Sequence, residues 1–124
     1  MPGPTAFLVE DNAIVRQNLV DTLHEMSPLR VVGHAEDEQA AVAWLSNLSN
    51  RCDVLIIDIF LKSGSGLGVL QAARDLGTAK SMVVLTNYAT SDLRKGCTRL
   101  GADKVFDKSQ QIDELIAYCT ELAA

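Results

Sequence analysis

Four apolar runs in this chain end on side chains that could do chemistry. Phe7-Leu8-Val9 runs into Glu10-Asp11-Asn12, Val54-Leu55-Ile56-Ile57 into Asp58, Ser81-Met82-Val83-Val84-Leu85 into Thr86-Asn87, and Val105-Phe106 into Asp107-Lys108. An unpaired carboxylate at the tip of a buried strand costs several kcal/mol, so Asp58 needs either solvent or a partner. Glu10, Asp11 and Asp58 brought into one crevice would repel and raise one another's pKa unless a cation intervened. Lys108 supplies one positive charge, and a divalent hard cation balances the remainder. Such an all-oxygen set suits magnesium, or manganese, better than zinc, which favours His and Cys. It also suits phosphoryl transfer: metal and lysine neutralise phosphoryl oxygens, the Thr86 hydroxyl donates to a third, and a carboxylate acts as nucleophile. Each residue alone has a simpler use. Glu10-Asp11-Asn12 could cap a helix, Thr86 could cap another, and Lys108 could be a surface lysine.

The elements that must position these residues alternate along the chain. Strands are expected at Ala6–Val9, Leu29–Gly33, Val54–Ile57, Ser81–Leu85 and Lys104–Phe106. Helices are expected at Ala13–Met26, with Val15, Leu19, Leu23 and Met26 at three- and four-residue spacing, then at Glu38–Leu48, Leu67–Leu76, Thr90–Leu100 and Ile112–Leu122. Gly77 is placed to end the third helix as a C-cap, and Trp44 belongs to the packing stripe of the second. Continuous apolar strands separated by helices predict a doubly wound α/β fold, a five-stranded parallel sheet in flavodoxin-like order 2-1-3-4-5 with helices on both faces. Ligands of such sheets bind beyond the carboxyl ends of the strands, at the switch point between the first and third. That edge is where Glu10, Asp11, Asp58, Thr86 and Lys108 fall.

Composition narrows the function classes. The 124 residues form one domain, 1–124, with 48% apolar and 22% charged side chains, and no linker or repeat is evident. A net charge of −5 argues against direct nucleic-acid binding. No apolar stretch reaches the length of a membrane span, and Met1-Pro2-Gly3-Pro4 does not open a signal peptide. Cys52, Cys97 and Cys119 are widely spaced and read as reduced thiols, which points to the cytoplasm. His24 and His34 are isolated and are not assigned a metal or catalytic role. The last helix runs almost to the C-terminus, so no output domain is expected on this chain.

The four segments Phe7-Leu8-Val9-Glu10-Asp11-Asn12, Leu55-Ile56-Ile57-Asp58, Val83-Val84-Leu85-Thr86-Asn87 and Gly101-Ala102-Asp103 with Asp107-Lys108-Ser109 together resemble the receiver domain of two-component response regulators, over essentially the whole chain. The resemblance implies a stand-alone, chemotaxis-regulator-like signalling switch. Asp58 matches the phosphoacceptor, supplied by a histidine kinase or histidine phosphotransfer protein. Asp11 matches the direct magnesium ligand and Glu10 its acidic neighbour acting through water, while Asp58 and the backbone carbonyl of Phe60 complete the protein's share of the shell. Thr86 matches the hydroxyl that moves to the phosphoryl group and Lys108 the lysine that pairs with it. The chain is then not an enzyme towards outside substrates and catalyses only its own phosphorylation and slow dephosphorylation. A downstream protein is expected on the face of the fourth helix, fifth strand and fifth helix, with a phosphorylation-dependent homodimer as one form of output. The first turn of the first helix, near Val15, is the expected kinase-docking surface.

Several positions depart from the family pattern. Val105 stands where an aromatic is usual, three residues before Lys108, and Phe106 should face the other side of the sheet. Lys62 replaces a common proline, which with Gly64 and Gly66 predicts a looser loop after Asp58. Phe60 and Tyr88 match the two positions that in this family border the attacking water, so the resemblance implies slow self-dephosphorylation. Three rivals remain. An aspartyl phosphatase lacks a second acid two residues after Asp58, where Phe60 stands. A nucleotide or flavin binder would need its glycine loop after the first strand, whereas Gly64-Ser65-Gly66-Leu67-Gly68 follows the third. A phosphorylation-independent interaction module on the same fold is the strongest alternative.

Overall fold

A computed structural model describes residues 3–122, leaving Met1 and Pro2 of the opening segment outside the described residues. Five strands and five helices alternate: β1 (Thr5–Val9), α1 (Ala13–Met26), β2 (Arg30–Ala35), α2 (Glu38–Ser46), β3 (Cys52–Ile57), α3 (Gly66–Leu76), β4 (Ala79–Thr86), α4 (Ser91–Arg99), β5 (Lys104–Asp107) and α5 (Ile112–Leu122). All strand pairs are parallel and the order is β2-β1-β3-β4-β5, as the sequence predicts.

Strand alternation sorts the core into two layers. Phe7, Val9, Leu55, Ile57, Val84 and Val105 face a core shared with α2, α3 and α4. Ala6, Leu8, Val54, Ile56, Leu85 and Phe106 face one shared with α1 and α5. A fully buried leucine such as Leu23 or Leu55 contributes about 1.5–3 kcal/mol. Trp44 packs as expected, stacked on Phe7 with ring centroids 4.0 Å apart. Val105 and Phe106 point to opposite layers, also as expected.

Local chemistry sets the helix ends. Asn12 caps α1 by accepting from the amides of Ile14 and Val15, Ser65 caps α3 and Thr90 caps α4. Gly77 ends α3 in the left-handed conformation, φ 67°. Most element boundaries move by one or two residues from the sequence expectation, with β3 and β4 starting two residues earlier, at Cys52 and Ala79, and two of the shifts have a plain local cause. Helix α2 stops at Ser46 rather than Leu48, because the Asn47 carboxamide accepts from Ser49 and the Asn50 amide group donates to the Trp44 carbonyl. Strand β2 is shifted towards Ala35; it is an edge strand with alternating exposure, and its pairing with Leu8 and Val9 continues past Gly33.

Candidate functional site

The alternation that sorts the core also assembles the site. Leu8, Ile56 and Phe106 lie in the α1/α5 layer. Two residues further on, beyond the carboxyl ends of their strands, come Glu10, Asp58 and Lys108, and these three meet. The Lys108 ammonium donates to Glu10 Oε1 in a short contact and to Asp58 Oδ2 at 3.3 Å. Glu10 is 4% exposed and Asp58 9%, so the ion pairs are shielded from solvent. Glu10 is further fixed through its backbone: its amide donates to the Ala35 carbonyl, and its carbonyl accepts from Arg16 Nη1 at 2.8 Å.

Burial pushes the Asp58 carboxyl above its ordinary 3.8; the Lys108 charge opposes that shift and the Glu10 charge adds to it. Burial also works against the charge on Lys108, but the hydrogen bond to Glu10 and the charges of Asp58 and Glu10 outweigh it and raise its pKa above 10.5. Lys108 is therefore held in its charged form, while burial and the Glu10 charge disfavour the ionised form of Asp58. Carboxylate oxygens of Glu10, Asp11 and Asp58 all lie within 4.8 Å of one another. Against one ammonium they leave an excess of two negative charges, which fits a divalent cation on oxygen donors. With Asn12 serving as the cap of α1, the capping explanation for Glu10 and Asp11 falls away.

The loop after Asp58 is tied down rather than loose. The Phe60 amide donates to Asp58 Oδ1 at 3.2 Å, the Lys62 amide to Asp11 Oδ2 at 2.7 Å, and the Gly66 amide to the Ile59 carbonyl at 2.9 Å. The Lys62 bond is one that a proline could not make, since proline has no N–H. It joins Asp11 to the segment that carries Phe60. Gly64 has φ +77°, a conformation that suits glycine, and it serves the turn without freeing it.

Thr86 belongs to the other layer. It continues the Val84 column, it is fully buried, and its hydroxyl accepts from the Tyr88 amide at 3.2 Å within its own loop. Among the described residues no hydrogen bond joins it to Asp58. Phe60 and Tyr88 do come together, edge to face, with centroids 5.1 Å apart and both rings exposed. Sequence reasoning missed Arg94. Its guanidinium donates to the carbonyls of Ala89 (3.1 Å) and Val105 (2.6 Å) and to Gln111 Oε1 (2.8 Å), which also accepts from the Asp107 amide at 2.7 Å. One side chain thus joins the loop after Thr86, the strand before Lys108 and the start of α5. An arginine in an amphipathic helix carries no sequence signal of such a role. Beside Lys108, a cleft of about 210 Å³ opens between α1 and α5, lined by Val15, Leu19 and Ile112 among others.

The response regulator receiver domain family model matches residues 6–120. Among curated proteins, the nitrate/nitrite response regulator protein NarP of Escherichia coli is 35% identical over 75% of this chain and 44% of its own length. A protein-glutamate methylesterase/protein-glutamine glutaminase of Myxococcus xanthus is 32% identical over 82% of the chain and 29% of its own length. The chain spans half or less of the length of the curated relatives it matches. The fold is shared with a Francisella response regulator receiver domain (TM-score 0.83, 21% identity, 97% of this chain and 96% of that one). It is shared too with a Burkholderia pseudomallei response regulator described with a phosphorylated aspartic acid, a calcium ion and citrate (TM-score 0.81, 21% identity, 97% of this chain and 68% of that one).

Proposed function

The chain belongs to the response regulator receiver domain family, and on that premise we propose that Asp58 accepts a phosphoryl group from a phosphohistidine of a histidine kinase or histidine phosphotransfer protein. The observation that carries this reading is the shielded cluster at the end of β3, where Asp58 meets Lys108 at 3.3 Å within an acidic trio. An Asp58 carboxylate oxygen attacks phosphorus; the O–P bond forms as the P–N bond of the donor imidazole breaks, and the leaving nitrogen takes the electron pair. Asp11, Asp58 and the Phe60 carbonyl would hold magnesium, or manganese in its place, with Glu10 beside them through water. The ion supplies charge neutralisation for the phosphoryl oxygens. Lys108, already paired with Asp58, supplies a further positive charge on the other side. The Burkholderia neighbour, described with a phosphorylated aspartic acid and a calcium ion, supports aspartyl phosphorylation on this fold.

The new negative charge and acceptor oxygens give the Thr86 hydroxyl a reason to leave the Tyr88 amide. Movement of that loop reaches the face of α4, β5 and α5 through Arg94, which is bonded to Ala89, Val105 and Gln111. This contact replaces the aromatic missing at Val105 as the route to a downstream protein or a second copy of the chain. Docking of the phosphodonor falls at Val15 and the cleft beside it. Among the described residues no helix is long and apolar enough to cross a membrane. Turnover is confined to the chain's own phosphorylation and its slow reversal. The Phe60–Tyr88 pair crowds the approach of water, so Phe60→Asn should shorten the lifetime of the phosphorylated form several-fold, read as decay of the added mass; an unchanged lifetime removes the crowding argument.

The decisive experiment is intact mass after incubation with acetyl phosphate and magnesium, beside Asp58→Asn and a chelated control. One added phosphoryl group, lost in both controls, is expected. No gain from acetyl phosphate or from any phosphohistidine donor, in a chain that binds magnesium, would favour a phosphorylation-independent interaction module instead.

A further inference from the structure

We propose that Glu38, the first residue of α2, is a positioning residue for the metal site, acting through the glycine-rich segment Ser63-Gly64-Ser65-Gly66-Leu67-Gly68. This rests on the reading of Glu10, Asp11 and Asp58 as a magnesium site. An acid in the first turn of a helix ordinarily serves the helix dipole. Glu38 does more than that. Asp37 already caps α2 by accepting from Ala40, and the Glu38 carboxylate reaches out of its own helix to accept the Ser65 amide at 2.8 Å. Its own amide donates to the Ser63 carbonyl at 3.3 Å. The two bonds grip the loop on both sides of Gly64.

The glycines are shaped to this grip. A Cβ on Gly64 would lie 2.4 Å from Glu38 Cβ, and one on Gly68 would lie 2.4 Å from Glu38 Oε2. A Cβ on Gly66 would lie 2.3 Å from the Asp58 carbonyl oxygen, so α3 begins pressed against the backbone of the acceptor itself. The segment that superficially resembles a nucleotide loop is thus a socket for one glutamate side chain. Its grip is transmitted over a short path. Lys62, adjacent to Ser63, donates its amide to Asp11 Oδ2 at 2.7 Å, and the same loop carries the Phe60 carbonyl. Glu38 therefore fixes two of the groups assigned to the ion while touching neither. Partners bonded directly to metal ligands are worth about ten- to a hundredfold in metal affinity, and Glu38, acting through the loop, is expected at the lower end of that range.

The test is a magnesium titration by calorimetry on the wild type, Glu38→Gln, Glu38→Ala and Gly68→Ala, paired with the magnesium dependence of phosphorylation by acetyl phosphate. Glu38→Ala removes the acceptor. Gly68→Ala crowds the carboxylate out of its socket while raising helix propensity in α3, and urea unfolding checks that the variant is folded. Both should weaken magnesium binding about tenfold and raise the magnesium needed for half-maximal phosphorylation by the same factor, with the saturating extent unchanged. Glu38→Gln keeps an oxygen for the Ser65 amide and should restore most of the affinity. Wild-type magnesium affinity in Gly68→Ala and in folded Glu38→Ala would overturn the proposal, as would a Gln variant no better than Ala. A wild-type chain with no magnesium affinity is a different failure: it removes the metal-site reading on which the proposal stands.

Discussion

The two ends of β3 carry the same pair of residue types to opposite effect. At the amino end Asp53 is paired with Lys80 at 3.4 Å; at the carboxyl end Asp58 is paired with Lys108 at 3.3 Å. The Asp53 carboxyl is held below its ordinary 3.8, first by the Thr5 amide, which donates to Oδ2 at 2.7 Å, with smaller help from the exposed Lys80. The Asp58 carboxyl is pushed above the same value, because its burial outweighs what Lys108 returns and Glu10 adds repulsion. Asp53 is a carboxylate that the fold has satisfied. Asp58 is one that the fold has cornered, and a cornered carboxylate gains from a cation or a phosphoryl group. An ion pair in this protein therefore says little until its burial and its third neighbour are known.

The widest separation between the two ends is chemical. Asp58→Asn should abolish both phosphoryl acceptance and the stabilisation by magnesium, whereas Asp53→Asn should leave both intact. In the wild type, magnesium at a hundredfold its dissociation constant should add about 2.7 kcal/mol to stability, read as a shift in the urea midpoint. Equal loss in the two variants would break the comparison. A smaller contrast lies in stability without metal. Asp53→Ala leaves the Thr5 amide without its partner and should cost about 1 kcal/mol in urea unfolding. Asp58→Asn should cost nothing in the same titration, because it relieves repulsion with Glu10. A destabilised Asp58→Asn would mean that its pairing with Lys108 outweighs burial.

The smallest effect is a difference of sign with pH. Asp53, with its folded pKa lowered, contributes stability that is present above the unfolded value near 3.8 and is lost as pH falls through the lower folded value. Asp58, with its folded pKa raised, contributes stability that is fully present below 3.8 and is lost as pH rises through the higher folded value. Metal-free stability curves of Asp53→Asn and Asp58→Asn, each subtracted from the wild type, should therefore differ in sign and window: the Asp53 contribution rises with pH below about 3.8 and is flat above it, and the Asp58 contribution falls with pH above about 3.8. Parallel slopes would show that the two carboxyls feel the same environment.

Much of this was legible in the residues. The alternation of apolar runs and helical stripes is a local, periodic signal, and with right-handed crossovers it points to a doubly wound parallel sheet, of which the order 2-1-3-4-5 is one arrangement and the one the structure adopts. Since strands in such a sheet share a direction, the positions of Glu10, Asp11, Asp58, Thr86 and Lys108 after their apolar runs place all five at one edge. Among the element ends that shifted, those at Ser46 and Ala35 did so where an asparagine side chain or an edge pairing replaced the apolar pattern.

What the sequence determined by itself, then, is which groups stand at the carboxyl edge. Which of them touch was decided only by tertiary structure. Glu10, Asp58 and Lys108 follow the columns of Leu8, Ile56 and Phe106 into one layer and meet there, while Thr86 follows Val84 into the other and bonds its own loop. Glu38, Asp11 and Arg94 act through contacts to backbone groups of other segments, the Ser65 amide, the Lys62 amide and the Val105 carbonyl. A backbone N–H or carbonyl is the same at every residue, so no sequence pattern marks the one that a distant side chain will find. Only the packing of α2 and α4 against the sheet brings those groups within hydrogen-bond distance.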